Sequence, residues 1–513
     1  MVFRLNARAR RAVPFAVAVL VACAFAAVRL PALAAPAIPA DKTALAASLE
    51  SSWTAVPLAG SFGYTAHVRL SEPASYVQTR LQVRYPTGKL VYQRTMVENS
   101  VPAKTIDYSF GRELDGLSLK PGVYPVRLNV TATMGGSTET TEVATELLVY
   151  DVKSTAVPVV LVARLHASPL SNPQGGLAID PASPEAEGPR ADVDRISALV
   201  IADPGARIVL GVPPVLLAEW KRLSGGYTLA DGIAVPAQSP VARTYADTLV
   251  RLRAAVDTGR LELVSLGYSD PDLSTLVQEA LADDIAPQYE AGISACFASL
   301  EITPSIGTVP AGDCAPQKSL GRLADQGVGY VVTSESCVNW GKTKSASGAF
   351  PVSGARVTAL VTDDKSSQAV SGGNADAALR RTFTRLIAGG KPQQPFAIRV
   401  DLGQGRPDAT STVAAAASTF GAEPWVRLTL GREVRPPTKS GSVTLTEAPE
   451  QSHVPAGYWK TVRSARAYAD GLLAALGPGG GGVTSAQTDS LMAESSAWSE
   501  PNGTWASADR GLG

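Results

Sequence analysis

The sequence predicts a multidomain protein in which an all-β, immunoglobulin-like sandwich precedes an α/β barrel with C-terminal helices. Between about 51 and 152, apolar and polar residues alternate, as in strands that bury one face. From about 156 to 430, short apolar runs alternate with amphipathic segments of helical length. That second pattern is typical of β-α-β units, in which helices cover both faces of a parallel sheet.

Composition and charge narrow the class of protein. The chain has 513 residues, of which 45% are hydrophobic and 18% are charged, so it can bury more than one sizeable core. Lys plus Arg and Asp plus Glu each number 46, so the formal net charge is zero. A chain without net charge gives no reason to expect nucleic acid as a partner.

Residues 1–35 are predicted to form a secretory signal peptide. Four arginines precede an apolar run, and the small residues of "LPALAAPA" follow it. The stretch "LVAC" also fits a lipoprotein signal, in which Cys23 would carry the lipid. Both alternatives predict export to the extracytoplasmic cell envelope, and any contact with a membrane would be made through this segment.

Residues 36–50 are predicted to be a linker, and the sandwich is predicted over 51–152. "YTAHVRL", "VQTRLQVRYP" and "YPVRLNVTATM" alternate with a period of two, and "PTGK" and "LKPGVY" are turn signals. Short strands at regular spacing, with polar outer faces, predict an immunoglobulin-like domain of about 100 residues.

The barrel is predicted over 156–430. "VPVVLVARL", "ARIVLGVPP" and "RLELVSLGY" are continuous apolar runs, and helical segments such as "TYADTLVRLRAAVDTG" separate them. Six or seven such strands favour a closed or nearly closed barrel, and no Gly-rich phosphate fingerprint follows them. Residues 431–475 are predicted to be a helical extension, and 476–513 a Gly-rich linker with a last helix and tail.

An oxidising compartment allows one disulfide among the three cysteines that follow the signal segment. We expect Cys314 to pair with Cys337, because both should lie at the ends of neighbouring strands. The sequence contains no CxxC pair, and its three histidines are far apart. We therefore predict neither a metal site nor a cofactor.

Polar residues follow several of the predicted barrel strands, where the carboxyl ends of parallel strands form one rim and where such barrels carry their sites. The candidate catalytic groups at this rim are Asp270, Asp313 and His166. The candidate substrate-binding groups are Tyr268, Asp272, Glu335, Asp401 and Trp340. Acidic groups that converge from separate strands are what general acid/base chemistry on a sugar requires, with one carboxyl protonated and one ionised.

Each candidate also has a structural interpretation. Asp270 precedes a proline in a typical turn, and Asp272 stands where it would cap the helix that follows. Asp313 could hold a bent loop, Glu335 could be a solvated loop residue, and His166 could bond a neighbouring loop. We expect Asp272 to cap the helix and Asp270 to face the rim, so Asp270→Ala should leave stability nearly intact.

Three segments resemble glycoside hydrolase family fifty-seven, which belongs to the wider glycoside hydrolase/deacetylase barrel group. "GRLELVSLGYSDPDLSTL" is similar to the second motif of that family. "VPVVLVARLHASP" is similar to its first strand, and "PSIGTVPAGDCAPQKSLGRLADQGVGYVVTS" to its next segment. The resemblance covers about 157–335 and implies a hydrolase-like barrel that handles carbohydrate.

The sequence departs from that family at its catalytic positions. Asp270 stands where the family has its second-motif histidine, and Ala311 follows Val309-Pro310 where the family has its nucleophilic glutamate. His166 is kept, but the glutamine before the following proline is not. The departures imply that catalysis is lost or unconventional.

The whole layout also resembles a family of actinobacterial secreted cell-envelope proteins for which no activity is established. Two hypotheses follow. In the first, the barrel binds a glycan or an envelope protein. In the alternative, it is a glycoside hydrolase or deacetylase that acts on an extracellular or cell-wall polysaccharide through its rim carboxylates.

Overall fold

The computed structural model describes residues 44–51, 55–151, 156–172, 176–229, 231–341, 347–387, 394–403, 408–437, 441–447, 456–477 and 483–495. The chain divides into two compact units, Met1–Val149 and Tyr150–Gly513. The predicted signal peptide, with the lipidation candidate Cys23, lies outside the described residues. Within the described ranges, no helix combines the length and apolar character needed to cross a membrane.

The N-terminal unit is all-β. Its strands are β1 (Leu45–Ser51), β2 (Val56–Pro57), β3 (Ser61–Leu70), β4 (Ala74–Arg84), β5 (Leu90–Val101), β6 (Thr105–Glu113), β7 (Gly122–Met134) and β8 (Ser137–Tyr150). They form a β1-β3-β6 sheet and a β2-β8-β7-β4-β5 sheet. The alternating pattern directs Val68 of the first sheet, and Leu81 and Val126 of the second, into one hydrophobic cluster.

The strand β1 corrects the last part of the predicted linker, residues 45–50, whereas 36–43 lie outside the described residues. Leu45–Ser51 pairs antiparallel with Tyr64–Leu70 along its whole length. Leu45 is buried in the hydrophobic cluster, and Leu49 packs against it. The segment "LAASLES" has few residues that favour strands, so pairing with β3, and not local propensity, makes it a strand.

The C-terminal unit alternates strands with helices. Its strands are β9 (Val157–His166), β10 (Ile208–Gly211), β11 (Gly226–Thr228), β12 (Ala234–Pro236), β13 (Leu261–Leu263), β14 (Gly307–Thr308), β15 (Tyr330–Ser334), β16 (Val338–Asn339), β17 (Gly348–Pro351), β18 (Thr358–Thr362), β19 (Phe396–Gly403), β20 (Val426–Leu428) and β21 (Thr444–Leu445). Its helices are α1 (Pro184–Ala202), α2 (Pro214–Ser224), α3 (Pro240–Asp257), α4 (Leu273–Gln278), α5 (Ile285–Leu300), α6 (Leu320–Asp325), α7 (Asp364–Ser371), α8 (Ala375–Thr382), α9 (Ala409–Gly421), α10 (Ala456–Leu476) and α11 (Val483–Ala493).

The central sheet has nine strands, and seven of them are parallel in the order β13-β10-β9-β19-β18-β15-β14. Off this path, β17 pairs antiparallel with β18 and β20 pairs parallel with β9. The two ends of this order are themselves joined. Ser265 N donates to Gly307 O at 2.9 Å, and Ser305 N donates to Leu263 O at 2.8 Å. The strands therefore close into a ring, and the α/β barrel predicted for this region is confirmed.

The barrel interior is mainly apolar at one end, where Glu262 is the buried charged residue, and carries several charged groups at the other. Val160 and Val162 of β9 pack with Val209 and other strand residues in one buried cluster. Side chains two residues apart on a strand share a face, so Arg164 and His166 continue this inward-facing row. They lie at the carboxyl end of β9, and the end of the barrel that they occupy is called the mouth below.

The end of the barrel opposite the mouth is tightly packed around Tyr330. Its ring lies against Gly307 and Gly431, and its hydroxyl donates to Glu262 at 2.9 Å. A Cβ on Gly307 would overlap this ring. We expect Gly307→Ala to lower the free energy of unfolding by about 1–3 kcal/mol in chemical denaturation, because the core there is already filled.

Gly321 of α6 supplies the matched control for that substitution. No atom lies within 4 Å of the position that its Cβ would take. Gly321→Ala should be neutral or should stabilise by up to about 1 kcal/mol, since alanine is the better helix former. Equal losses from the two substitutions would contradict the packing described around Tyr330.

Candidate functional site

Two buried arginines organise the mouth. Arg164 of β9 is 1% exposed, and Arg399 of β19 is 8% exposed. The parallel register of the two strands sets Asp401 opposite Arg164. A buried guanidinium is costly unless anionic groups pair with it, so these arginines dictate where the carboxylates of the mouth must lie.

Arg164 joins two of the predicted catalytic residues. One of its terminal nitrogens pairs with the Asp270 carboxylate, and the other lies 3.0 Å from Nδ1 of His166. Because a guanidinium only donates hydrogen bonds, Nδ1 of His166 is the acceptor and a ring proton resides on Nε2. Asp270 and His166 are both buried. They share a site as predicted, but a guanidinium links them.

Arg399 joins a second pair of predicted residues. Its Nε donates to Asp401 at 2.9 Å, and a terminal nitrogen pairs with Asp313. Burial alone would raise the pKa of the Asp401 carboxyl, but the charges of Arg399 and Arg164 outweigh it and hold that pKa below its ordinary value. Asp401 is therefore ionised throughout the neutral range and is not a proton donor.

A polar cavity of ≈ 710 Å³ opens at the mouth. It is lined by Asp313, Ser334, Ser336, Thr362, Asp364, Ser367, Gln368, Ser371, Gly372, Arg399 and Asp401. These residues come from the carboxyl ends of β15, β18 and β19, from the loop after β14, and from α7. Hydroxyl, amide and carboxylate groups dominate the lining, so the cavity suits a ligand with many hydrogen-bonding groups.

The Asp272 carboxylate caps α4, as predicted. It accepts from Ser274 N at 3.0 Å and from the Thr275 hydroxyl at 2.9 Å. Burial raises the pKa of Asp272, and these hydrogen bonds offset part of that rise. The loop that carries Gly312 packs so closely on Asp272 that a Cβ there would lie 2.7 Å from its Oδ1. Asp272 is therefore part of the helix start, and it does not line the cavity.

Three predicted binding residues are not among those that line the cavity. The partly buried Trp340 packs edge-on against Phe350, with 5.3 Å between ring centroids, at the side of an apolar cluster. The Glu335 carboxylate lies 3.7 Å from Arg385, and burial raises its pKa. Burial also raises the pKa of the half-buried Tyr268 to about 12. These residues follow the predicted barrel strands, but their side chains pack outside the lining of the cavity.

A disulfide joins Cys314 to Cys337, the pair expected from the sequence, with 5.4 Å between the Cα atoms. It links the loop after β14 to the segment after β15. The neighbouring Asp313 is held by its backbone, because its carbonyl accepts from Ser334 N at 3.1 Å and from the Thr333 hydroxyl at 2.9 Å. The disulfide and these hydrogen bonds fix one wall of the cavity.

The described residues contain no group of three or more His, Cys, Asp or Glu side chains arranged to hold a metal ion.

Sequence reasoning missed the two arginines that organise the mouth. The signal was present, because Arg164 and Arg399 interrupt continuous apolar strands, each two residues before a polar residue on the same face. A charged residue inside a buried strand requires a partner of opposite charge. A search for cations within the strands would have found both residues.

The C-terminal helix α11 docks on the loop that carries Asp270. The Ser269 hydroxyl donates to Leu491 O at 2.6 Å, and the Gln288 amide donates to Glu494 at 2.9 Å. Glu494 is buried beside Asp284. Burial first, and then the charge of Asp284, raise the pKa of Glu494 well above its ordinary value.

No family model matches the sequence. No curated protein sequence matches it either. Among solved structures, the chain is similar to the alpha-amylase AmyC from Thermotoga maritima, with a TM-score of 0.50 and 9% identity over 70% of this chain and 90% of that one. At that identity the likeness shows the fold alone.

Two further solved structures overlap less well. A 4-alpha-glucanotransferase from Thermococcus litoralis gives a TM-score of 0.41 at 14% identity, over 63% of this chain and 47% of that one. An exo-type maltose-forming amylase from Pyrococcus sp. ST04 gives 0.44 at 7% identity, over 69% of this chain and 71% of that one.

The Arg164–Asp270 pair corrects the expectation that Asp270→Ala leaves stability nearly intact, because that change would leave a buried guanidinium without its carboxylate. We expect Arg164→Met and Asp270→Asn each to lower the free energy of unfolding by about 3–5 kcal/mol. The double variant should lose much less than the sum of the two, as measured by a double-mutant cycle in urea. Simple additivity would contradict a direct ion pair.

The raised pKa of Glu494 predicts how stability depends on pH. The folded chain keeps a proton on Glu494 that the unfolded chain releases, so the free energy of unfolding should fall as the pH rises above about 4. Glu494→Gln should flatten this slope in denaturation curves measured between about pH 5 and pH 8. The exposed Glu290→Gln is the control and should leave the slope unchanged. If the unfolding free energy of Glu494→Gln changed with pH as steeply as that of the wild type, Glu494 would be ionised in the folded chain.

Proposed function

We propose that the barrel binds a glycan in the polar cavity at its mouth, and that it does so without conventional acid/base hydrolysis. The observation that carries this proposal is the pairing of the mouth carboxylates with Arg164 and Arg399. The arginines hold Asp401 as a charged hydrogen-bond acceptor and engage Asp270 and Asp313 as ion-pair partners. A charged carboxylate can bind sugar hydroxyls without transferring a proton.

The cavity lining supports glycan binding. Its volume of ≈ 710 Å³ falls within the range of about 300–1,000 Å³ that is usual for small-molecule sites. Ser334, Ser336 and Thr362 line it on one side, and Ser367 and Gln368 of α7 on another. Hydroxyl and amide groups both donate and accept hydrogen bonds, as the hydroxyls of a sugar do.

Conventional glycoside hydrolysis requires two carboxyl groups in different protonation states across the scissile bond. Asp401 is held ionised by the two arginines, and Asp270 and Asp313 are each paired with a guanidinium. Asp272 is occupied with the start of α4. The engagement of these four carboxylates in ion pairs and a helix cap therefore favours binding over hydrolysis as the role of the barrel.

The alternative is a glycoside hydrolase or deacetylase that works through an unconventional pair of groups. One observation favours it, because burial raises the pKa of Glu335 near the mouth and would keep that carboxyl protonated more readily. An activity screen distinguishes the two proposals directly.

The N-terminal unit, we propose, is immunoglobulin-like. Near the start of β7, the Tyr124 hydroxyl donates to Lys120 O at 2.7 Å and accepts from Lys120 N at 2.9 Å. A tyrosine that bonds the backbone a few residues upstream at this corner is a hallmark of that class, and the two-sheet order agrees with it.

An extracytoplasmic cell-envelope location belongs to the same proposal, and the signal-like sequence of residues 1–35 supports it. Envelope glycans, or an envelope protein that carries them, would then be the available partners. Lipid attachment at Cys23 would be the only contact with the membrane that this proposal includes.

The binding proposal is tested by isothermal titration with short oligosaccharides, run in parallel with assays for hydrolysis and deacetylation. We expect binding without turnover, and we expect Asp401→Asn to weaken that binding at least about tenfold, because a charged acceptor is lost. Asp325→Asn, an exposed change on α6, should bind as the wild type does. Turnover that Glu335→Gln abolishes would establish the alternative, and a failure to bind any glycan would overturn the proposal.

A further inference from the structure

We propose, on the basis of the function proposed above, that the cavity selects a glycan that carries free amino groups, with Asp364 as the residue that determines this specificity. The inference rests on the charge of the cavity and on the partners of Asp364. It adds a substrate class to the proposed binding function.

Negative charge exceeds positive charge in the cavity lining. Three carboxylates, those of Asp313, Asp364 and Asp401, face one guanidinium, that of Arg399. Two negative charges are therefore left in excess. A cavity of this sign repels uronic acids and phosphorylated sugars and attracts a cationic ligand.

The three carboxylates are not equivalent. Arg399 lies between Asp313 and Asp401 and pairs with both. Asp364 instead accepts from the Ser334 hydroxyl at 2.6 Å and from the Thr362 hydroxyl at 3.2 Å. In the described part of the chain, no lysine or arginine lies within ion-pair distance of Asp364.

Two arginines that follow α7 along the chain pair with another carboxylate. Arg381 and Arg385 both pair with the fully buried Asp363, which also caps α7 by accepting from Ser366 N at 2.8 Å. Neutral hydroxyl groups therefore hold the Asp364 carboxylate in position, and a cationic ligand could pair with it.

An amine-bearing sugar matches this arrangement. An ammonium group donates three hydrogen bonds and can use the free lone pairs of the Asp364 carboxylate. The ring hydroxyls of the same sugar can bond to Ser336, Ser367 and Gln368. Since the described residues hold no group arranged for a metal ion, an organic cation is the better match.

The test uses calorimetric titration of the full chain with three oligosaccharides of equal length, made of glucosamine, N-acetylglucosamine or galacturonic acid. We expect the glucosamine oligomer to bind at least about tenfold more tightly than the N-acetylated one. The galacturonic acid oligomer should not bind. Added salt should weaken the binding of the glucosamine oligomer most, because ion pairing supplies the preference.

Variants assign the preference to Asp364. Asp364→Asn should lower affinity for the glucosamine oligomer about tenfold and lower affinity for the N-acetylated oligomer much less, so that the preference between the two is lost. Asp364→Glu keeps the charge and should retain the preference. Asp376→Asn, a matched change on α8 that does not line the cavity, should behave as the wild type. Thermal melts check folding, and Asp364→Glu with the salt dependence decides the question if Asp364→Asn does not fold.

The outcomes separate this inference from the proposed function. Equal affinity for the glucosamine and N-acetylglucosamine oligomers would overturn the amine preference and leave glycan binding intact. Preferred binding of the galacturonic acid oligomer would do the same. A failure of all three oligomers, and of a neutral glucan, to bind would overturn the proposed function and this inference with it.

Discussion

The burial of two guanidinium groups inside the barrel is the constraint on which the mouth depends. Arg164 and Arg399 extend inward from β9 and β19, where the strands are otherwise apolar. Each buried positive charge must be matched by carboxylates at hydrogen-bonding distance. That requirement places Asp270 beside Arg164, and it places Asp313 and Asp401 beside Arg399. The carboxylates that the sequence presents as catalytic candidates are thereby ion-pair partners in the structure.

The same constraint connects the structure to the proposed function. A carboxylate paired with a guanidinium remains charged and accepts hydrogen bonds, whereas a general acid must carry a proton at working pH. The short loop "SDPD" shows the division of roles, because Asp270 pairs with Arg164 and Asp272 caps α4. Beside these pairs, the cavity presents hydroxyl groups and Asp364, which has no cationic partner among the described residues. A binding surface follows from this arrangement more directly than a proton-transfer pair does.

Features that depend on residues close together in the sequence could be predicted, whereas features that depend on distant residues could not. The barrel strands were readable because β9 and β13 lie in continuous apolar runs, and the cap at Asp272 was readable because its partners are two and three residues away. The strand β1 was missed because its stability comes from pairing with β3. The ion pair of Asp270 was not foreseen because Arg164 is 106 residues away in sequence. Trp340 was predicted to bind sugar, because its packing on Phe350 is a tertiary contact that the local sequence does not reveal.

The ionisation of Asp401 reports the field that the two arginines create, because their charges and its burial shift its pKa in opposite directions. Carbon-detected NMR of the side-chain carboxyl through an acid titration would give its pKa in the folded chain. We expect a pKa below the ordinary value of about 3.9 for aspartate, with a rise toward that value or above it in Arg399→Met. A pKa in wild type well above the ordinary value would contradict the account. It would mean that burial outweighs the arginine charges and that Asp401 can serve as a proton donor.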